Sequence, residues 1–222
     1  MSGARVAAVL FDLDGTLLDS APDLAGACNE MRVARGLDAL PYTTLRSLVG
    51  SGARGMVGAG FGVAPGDERF EPLRDEFLQR YEDRMTRETA LFPAVPPLLA
   101  DIGRHGLPWG IVTNKAARFA VPLVEWLGLT GSVATLVCGD TTPHSKPHPA
   151  PLLEAARRMG VPAADCVYVG DDRRDVDAGR AAGMRTLVAA WGYLGEVAPM
   201  TDWGADAIVA QPGDVLRWIE GA

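Results

Sequence analysis

Lysine is scarce in this chain. Of the 21 basic residues, only Lys115 and Lys146 are lysines, and all the others are arginines. Acidic residues outnumber basic ones, which gives a formal net charge of -7 and argues against a surface that binds nucleic acid through its phosphates. Because lysine carries a compact ammonium where arginine carries a planar fork, the two lysines mark positions where the compact charge is needed.

Long apolar runs and closely spaced cysteines are also lacking. No apolar run approaches the ~20 residues that cross a membrane. The apolar stretch near the N-terminus is broken by Asp12 and Asp14, so we expect neither a membrane span nor a signal peptide. The three cysteines, Cys28, Cys138 and Cys166, form no close pairs. They predict small core side chains in a reducing cytoplasm, and not a disulfide or a zinc site.

Apolar runs alternate with helical patterns along most of the chain. The expected strands are Arg5–Phe11, Pro108–Val112, Ala134–Cys138, Cys166–Val169, Thr186–Ala189 and Ala207–Val209. The expected helices between them are Val95–His105, Ala116–Leu127, Ala150–Met159, Asp175–Ala182 and Asp214–Ile219. This alternation predicts an α/β fold with a doubly wound parallel sheet. In such sheets, ligands bind beyond the C-terminal ends of the strands.

Residues 17–88 contain no good strand pattern. The helical patterns there are Leu24–Arg35, Thr43–Leu48, Ala53–Gly60 and Phe70–Arg87. We therefore expect a core formed by residues 1–16 and 89–222, and an inserted all-helical domain formed by residues 17–88. The segment Gly50–Gly55 matches Gly-x-Gly-x-x-Gly. It follows a helical pattern and not a strand, so we do not expect a dinucleotide site.

Charged and polar residues follow several of the expected strands. Alternate residues of an extended strand share a face, so the carboxylates of Asp12 and Asp14 should lie on one side of the chain. Two such charges repel by roughly 4 kcal/mol at ~4 Å and an effective dielectric of ~20 unless a cation lies between them. The other polar positions at strand ends or in a nearby loop are Thr113, Asn114, Lys115, Lys146, Asp171, Asp172 and Asp175.

Four segments together carry a family resemblance. They read Asp-Leu-Asp-Gly-Thr from Asp12, Val-Thr-Asn-Lys ending at Lys115, Ser-Lys-Pro around Lys146 and Gly-Asp-Asp-Arg-Arg-Asp ending at Asp175. In this order, over nearly the whole chain, they resemble the four motifs of the haloacid dehalogenase superfamily of phosphotransferases. The resemblance implies a Rossmann-like core, a mobile helical cap inserted after the first strand, and a small phosphorylated metabolite as substrate.

The same resemblance suggests roles for the aspartates. Asp12 is expected to be the nucleophile, since an ionised carboxylate can attack phosphorus and form an aspartyl-phosphate. Asp14 is expected to act as general acid and later as base. The five aspartates of these segments cannot all converge on Lys146 without another cation, and Mg²⁺ suits such oxygen ligands. The resemblance implies Asp12, Asp171 and the backbone carbonyl of Asp14 as the ligands of that ion.

Four further residues are expected to contact the substrate. Gly15 should let the backbone approach the phosphoryl group, and Thr113 should donate its hydroxyl to a phosphoryl oxygen. Asn114 should orient neighbouring groups. Lys146 should neutralise charge on both the nucleophile and the transferring group. Lys115, at a helix start, is expected to be structural or to lie at the rim of the site.

Three residues have less direct expected roles. Asp175 should lie beside the ion and orient Lys146 or a water. Asp172 should either reach such a water or cap the following helix. Arg54 lies at the expected loop between the second and third helices of the inserted domain, which we expect to contact the substrate. Its guanidinium suits an anionic group of the substrate, and the alternative is a solvated helix residue.

The motif residues favour one activity over its relatives. A dehalogenase needs no acid two residues after its nucleophile, so Asp14 favours phosphoryl transfer. A phosphonoacetaldehyde-type hydrolase needs a cap lysine, and residues 17–88 contain none. We expect a phosphate monoester hydrolase similar to the phosphoglycolate phosphatase group. Two segments, Gly170–Asp175 and Ser51–Arg54, are similar to N-acetylmuramic acid 6-phosphate phosphatases of cell-wall recycling. A β-phosphoglucomutase-like mutase and a silent scaffold stay open, as do the monomer and the homodimer.

Overall fold

The computed structural model describes residues 6–195 and 199–221. Its strands are β1 (Ala8–Phe11), β2 (Leu18–Asp19), β3 (Ala90–Leu91), β4 (Trp109–Val112), β5 (Thr135–Val137), β6 (Cys166–Gly170), β7 (Arg185–Ala189) and β8 (Ala207–Val209). Its α-helices are α1 (Ala21–Val33), α2 (Tyr42–Arg46), α3 (Gly52–Phe61), α4 (Phe70–Glu82), α5 (Val95–Arg104), α6 (Ala117–Trp126), α7 (Ala150–Met159), α8 (Arg173–Ala181) and α9 (Gly213–Gly221). Within the described ranges, no helix has the length and apolarity that crossing a membrane requires.

The chain divides into two compact units. One is formed by Met1–Leu18 and Leu91–Ala222, and the other by Asp19–Ala90. These boundaries lie two residues beyond those expected from the sequence. The chain passes from one unit to the other within β2 and β3, two-residue strands that pair with each other. The expectation of no strand in residues 17–88 was therefore wrong at β2, because two residues are too few to show an alternating pattern.

The larger unit is built on a six-stranded sheet with the order β5-β4-β1-β6-β7-β8. Every neighbouring pair of strands in it is parallel. From β1 the chain builds outward through β4 and β5 on one side and through β6, β7 and β8 on the other. This is the doubly wound α/β fold that the sequence predicts, and it is confirmed. The winding changes direction beside β1, and ligand sites of such sheets lie at this point, beyond the carboxyl ends of the strands.

Apolar residues on both faces of the sheet explain why its strands read as continuous apolar runs. Along β1, Val9 and Phe11 pack into one buried cluster, and Ala8 and Leu10 pack into another. Helices α5, α6 and α9 contribute to the first cluster, and α7 and α8 contribute to the second. A strand covered on both faces needs apolar side chains at every position. The polar side chains therefore begin only where the strands end.

The expected elements of this unit agree with the structure to within about three residues. The largest strand difference is at β1, which begins at Ala8; Arg5, the expected start, lies outside the described residues. Helix α8 begins at Arg173, two residues before the expected start, because Asp172 caps it. The pattern locates each element well and its ends less well, since caps depend on side-chain hydrogen bonds.

The smaller unit consists of α1, α2, α3 and α4, with α1 packed against the other three. The expected contact loop before Ala53 contains a 3-10 turn, Val49–Ser51, that leads into α3. The expected end of the last helix of this unit was wrong. Helix α4 ends at Glu82 and not at Arg87, because the chain turns there and buries Arg84. Arg54 consequently lies in the first turn of α3, where its side chain is exposed.

Arg84 is the central polar residue of the smaller unit. Its Nε donates to Asp23 Oδ1 at 3.3 Å, and its two terminal nitrogens donate to Glu30 at 2.7 Å and Glu88 at 2.9 Å. Asp23 Oδ2 accepts from the Glu88 N–H at 3.0 Å and from the N–H and hydroxyl of Thr89 at 2.8 Å each. These contacts hold the segment after α4 against α1.

Candidate active site

Lys146 lies at the centre of a polar site beyond the ends of β1, β4 and β6. Its ammonium donates to Val112 O at 3.0 Å, Tyr168 Oη at 2.8 Å and Asp175 Oδ1 at 2.7 Å. Asp12 Oδ1 lies 2.8 Å from the same nitrogen, but it receives no hydrogen bond from the residues that the structure describes. An ammonium has three protons. Four oxygens therefore share the three ammonium protons, so this group of buried acceptors retains unused lone pairs.

Asp171, directly after β6, is fixed by two hydrogen bonds. Its Oδ1 accepts from Thr16 Oγ1 at 3.1 Å, and its Oδ2 accepts from the Tyr193 N–H at 2.8 Å. Gly15 has a φ of +87°, and a Cβ at this position would lie 2.3 Å from Asp171 Oδ2. The glycine that we expected to admit a phosphoryl group thus also makes room for the Asp171 carboxylate.

Asp172 and Asp175 form a capping box at the start of α8. Asp172 Oδ1 accepts from the Arg174 N–H at 2.8 Å, and Asp175 Oδ2 accepts from the Asp172 N–H at 3.0 Å. Arg174 also binds Asp172 through its guanidinium, which holds the pKa of that carboxyl below its ordinary value although burial opposes this. Of its two expected roles, Asp172 takes the capping one. Asp175 Oδ1 accepts a hydrogen bond from the Lys146 ammonium, so both oxygens of Asp175 are hydrogen-bonded.

Asp12, Asp171 and Asp175 form a buried cluster whose ligand oxygens lie within 4.8 Å of one another. Three carboxylates against one ammonium, that of Lys146, leave two negative charges uncompensated. Burial, opposed by Lys146 and reinforced by Asp175, raises the pKa of Asp12 to about 7. Burial, with the charges of Asp12 and Asp175, holds the pKa of Asp171 well above its ordinary value. Both shifts come mainly from burial, and the neighbouring carboxylates add to them. The unused Asp12 oxygen and the all-oxygen donor set fit Mg²⁺.

Thr113 and Asn114 follow β4 and have well-defined partners. The Thr113 N–H donates to Val137 O at 2.9 Å, and its Oγ1 accepts from the Lys115 N–H at 3.1 Å. No described residue accepts the Thr113 hydroxyl proton, so this proton is available to a ligand. Asn114 Nδ2 donates to Lys146 O at 3.0 Å, and its Oδ1 accepts from the Lys146 N–H at 2.9 Å. Asn114 thereby fixes the loop that carries Lys146.

Lys115 contacts Asp14, a partner that its expected structural or rim role did not include. Its Nζ lies 2.9 Å from Asp14 Oδ1 and 3.2 Å from Oδ2. The two side chains are only 9% and 18% exposed. The scarcity of lysine is the signal in the sequence that points to this residue. Both lysines of the chain pair with an aspartate of the first motif, Lys146 with Asp12 and Lys115 with Asp14.

Of the five aspartates that were not expected to converge on Lys146 without another cation, three lie in the buried cluster. Asp14 pairs with Lys115, and Asp172 pairs with Arg174. Two additional cations thus remove two acids from the cluster, and three remain. The Asp14 carboxylate contacts Lys115 and is not part of the cluster of Asp12, Asp171 and Asp175.

Tyr168, in β6, is a site residue that the sequence pattern does not single out. Its hydroxyl lies 2.8 Å from Lys146 Nζ, 2.9 Å from Val112 O and 3.1 Å from Asp175 Oδ1. Burial and the charge of Asp175 hold its pKa well above the ordinary value, so the hydroxyl stays neutral. A tyrosine inside an apolar run is typical of a buried strand, and the sequence pattern does not show which groups its hydroxyl contacts.

Comparisons with known proteins agree with this geometry. Residues 9–189 match the haloacid dehalogenase-like hydrolase family. The chain is 43% identical to an N-acetylmuramic acid 6-phosphate phosphatase of Pseudomonas putida, over 98% of each chain. It is 48% identical to a phosphoglycolate phosphatase of Xanthomonas campestris pv. campestris, over 92% of each chain.

A solved structure shows the same fold. The crystal structure of a predicted phosphoglycolate phosphatase from Haemophilus somnus aligns with a TM-score of 0.85 at 24% identity, covering 98% of this chain and 99% of that one. With the motif aspartates gathered at the carboxyl edge of a doubly wound sheet and the family match spanning most of its length, this chain belongs to the haloacid dehalogenase-like hydrolases.

Proposed function

We propose that this protein hydrolyses the phosphate monoester of a small acid, using Mg²⁺ and a phosphorylated Asp12. One observation carries the proposal. Asp12 is buried beside Lys146 and Asp171, and one of its oxygens is an acceptor that lacks a hydrogen bond. A structural carboxylate would have its lone pairs satisfied, whereas a nucleophile that also binds a metal needs them free. The phosphatases among the similar proteins support the same reaction.

The first half of the reaction transfers the phosphoryl group to the protein. An Asp12 carboxylate oxygen bonds to phosphorus while the bond from phosphorus to the leaving oxygen breaks. Asp14 gives its proton to that oxygen, so an alcohol leaves. The free hydroxyl proton of Thr113 and the ammonium of Lys146 stabilise the charge on the phosphoryl oxygens. Asn114 contributes indirectly, by fixing the Lys146 loop.

The second half returns the protein to its starting state. Water attacks phosphorus, Asp14 takes the proton of the water, and the bond from Asp12 to phosphorus breaks to release inorganic phosphate. When held by the Asp12 and Asp171 carboxylates and the Asp14 backbone carbonyl, Mg²⁺ would neutralise charge on the phosphoryl group. Asp175 keeps Lys146 in place through both halves.

Two substrates fit the proposal, 2-phosphoglycolate and N-acetylmuramic acid 6-phosphate. Each is a phosphate monoester that also carries a carboxylate. Relatives with either activity are similar to this chain over most of its length. We propose that Arg54 binds the carboxylate, because this exposed arginine in α3 has no partner among the described residues and its fork suits that group. We place the reaction in a reducing cytoplasm, since all three cysteines are buried free thiols.

A chromogenic ester tests the chemistry. The purified protein should hydrolyse p-nitrophenyl phosphate, EDTA should abolish turnover, and added Mg²⁺ or Mn²⁺ should restore it. Ca²⁺ should inhibit, because its larger and looser coordination misplaces the attacking oxygen. Full activity in EDTA would contradict the metal requirement. The absence of turnover with Mg²⁺ on this ester and on a panel of phosphorylated metabolites would contradict the phosphatase itself.

Relative specificity tests the substrate. The values of kcat/KM for 2-phosphoglycolate and N-acetylmuramic acid 6-phosphate should be compared at equal Mg²⁺. A preference above ~100-fold, or ~2.7 kcal/mol of differential transition-state binding, would decide between them. Glucose 6-phosphate is the neutral control. If it outcompetes both acids, Arg54 does not recognise a carboxylate.

A further inference from the structure

The Lys115–Asp14 pair is too buried to be an ordinary surface contact. With side chains 9% and 18% exposed, it differs from exposed pairs, which contribute about 0–1 kcal/mol. Burying a lysine side chain costs up to about 2 kcal/mol of rotamer freedom, and arginine occupies every other basic position except Lys146. A compact ammonium at Asp14 is therefore a specific feature of this chain.

The backbone holds Lys115 in place from both sides. Its N–H donates to Thr113 Oγ1 at 3.1 Å, and its C=O accepts from the Gly139 N–H at 2.9 Å. A Cβ at Gly139 would lie 2.2 Å from Asn114 O, so the two segments can approach this closely only because residue 139 is glycine. The backbone of Lys115 is thus held in place, and the ammonium reaches Asp14 from this fixed position.

The Lys115 ammonium contacts both oxygens of the Asp14 side chain, at 2.9 Å and 3.2 Å. Contact with both oxygens fixes the direction in which the carboxyl group faces. This orientation matters most when Asp14 acts as base, in the second half of the proposed reaction.

We propose that Lys115 is a positioning residue for hydrolysis of the aspartyl-phosphate. It holds the Asp14 carboxylate where that group can take a proton from the attacking water. In this step the water oxygen bonds to phosphorus and the bond from phosphorus to Asp12 breaks, with its electrons returning to the Asp12 carboxylate. The proton passes to Asp14, and inorganic phosphate leaves. This inference rests on the proposed function.

The Lys115→Met variant separates the two halves of the reaction. With p-nitrophenyl phosphate, we expect a rapid burst of about one p-nitrophenolate per protein molecule, then slow turnover, because the phosphorylated protein accumulates. Steady-state kcat should fall on the order of 10²-fold, within the range of lost acid–base assistance. It should fall to the same value with 2-phosphoglycolate, because the slow step is common to both. The value of kcat/KM, which reports the first half, should change by less than about 5-fold.

Two variants serve as controls. Lys115→Arg keeps the charge on a larger, planar group and should recover only part of the lost kcat. Arg118→Met removes one positive charge from an exposed position three residues away and should leave the kinetics unchanged. Thermal unfolding of each variant shows whether it folds, and Lys115→Gln replaces Lys115→Met if the latter does not. A crystal structure of the folded variant should show the Asp14 carboxylate displaced.

Three results would overturn the inference. Equal losses of kcat and kcat/KM without a burst would mean that Lys115 acts in the first half of the reaction or binds the phosphate. Unchanged kinetics would make the pair structural. If Lys115→Met reached the wild-type kcat at saturating substrate, Lys115 would contribute only to substrate binding. Failure of the wild-type protein to hydrolyse any phosphate ester would instead contradict the proposed function, so the two failures are distinct.

Discussion

Each unit of this protein buries one cation among three carboxylates, but only one of the two clusters satisfies its buried acid with hydrogen bonds. In the larger unit, Lys146 lies with Asp12 and Asp175 and near Asp171, and all three acids are buried. In the smaller unit, Arg84 lies with Asp23, Glu30 and Glu88. The side chains of Glu30 and Glu88 are 41% and 58% exposed, so water stabilises their charges.

The buried acid of each cluster shows the difference most clearly. The oxygens of Asp23 accept four hydrogen bonds, from Arg84, Glu88 and two donors of Thr89. Asp12 Oδ1 accepts none from the described residues, and burial raises the pKa of Asp12. Formal charge alone does not distinguish the two clusters, whereas access to water and hydrogen bonding do. Among the described residues, the cluster of Arg84 satisfies its buried acid, and the cluster of Lys146 leaves one buried carboxylate oxygen without a hydrogen bond.

An aspartate-to-asparagine substitution in each cluster should show the largest difference between the two. Asp12→Asn should lower turnover on the order of 10³-fold or more, since the nucleophile is lost. Its melting temperature without Mg²⁺ should be no lower than that of the wild type, because one of three crowded charges is removed. Asp23→Asn should do the reverse and retain turnover. It should lose about 1–3 kcal/mol of stability, because the amide turns a donor towards groups that donate. Retained activity in Asp12→Asn would rule out the aspartyl-phosphate.

Removal of the cation from the smaller unit should be the next largest effect. Arg84→Met leaves Asp23 buried without its charged partner, and we expect the free energy of unfolding to fall by about 3–5 kcal/mol. Denaturant unfolding measures this loss. The double variant Arg84→Met/Asp23→Asn should recover part of it, because the uncompensated charge is gone. A loss below about 1 kcal/mol would mean that the cluster is held by its backbone hydrogen bonds alone.

Mg²⁺ should stabilise the larger unit and leave the smaller cluster unaffected. At 100 times its dissociation constant, an ion that binds only the folded protein adds about 2.7 kcal/mol. Thermal unfolding with and without Mg²⁺ measures this shift independently of activity. The shift should persist in Arg84→Met and vanish in Asp171→Asn. An equal shift in Asp171→Asn would place the ion elsewhere.

Arg54 should give the smallest effect and sharpens the comparison within the smaller unit. Arg84 is buried with three acidic partners, whereas Arg54 is exposed and has none among the described residues. Arg54→Ala should raise KM for an acidic substrate by about 10-fold, or ~1.4 kcal/mol, and leave stability within about 0.5 kcal/mol. The value of KM for p-nitrophenyl phosphate, which lacks a carboxylate, should change little. Equal effects on both substrates would point to a structural role.

The fold was predictable because its strands are covered on both faces. Runs such as Ala8–Phe11 admit no polar residue until the strand ends, so the elements and the position of the site could be read together. The turns of the smaller unit could not. Val49–Ser51 and the end of α4 depend on tertiary contacts such as those of Arg84, and local patterns carry no record of these contacts.

The candidate site was predictable in its members and less so in its pairing. The sequence places Asp12, Asp171 and Lys146 at strand ends or in a loop, but it cannot show which acid meets which cation. Asp14 meets Lys115 because residue 115 lies on the segment after β4, which neighbours β1 in the sheet. Such pairings across the sheet depend on register and strand order, which alternation alone does not determine.

The two lysines also decide how this protein responds to amine chemistry. Lys146 and Lys115 have side chains only 3% and 9% exposed, and both lie at the candidate active site. Lysine-directed acylation, cross-linking or reductive methylation therefore has no exposed lysine to modify. Any lysine that does react lies at the candidate active site. Loss of activity should follow lysine acylation mole for mole, and a bound phosphate ester should protect against it.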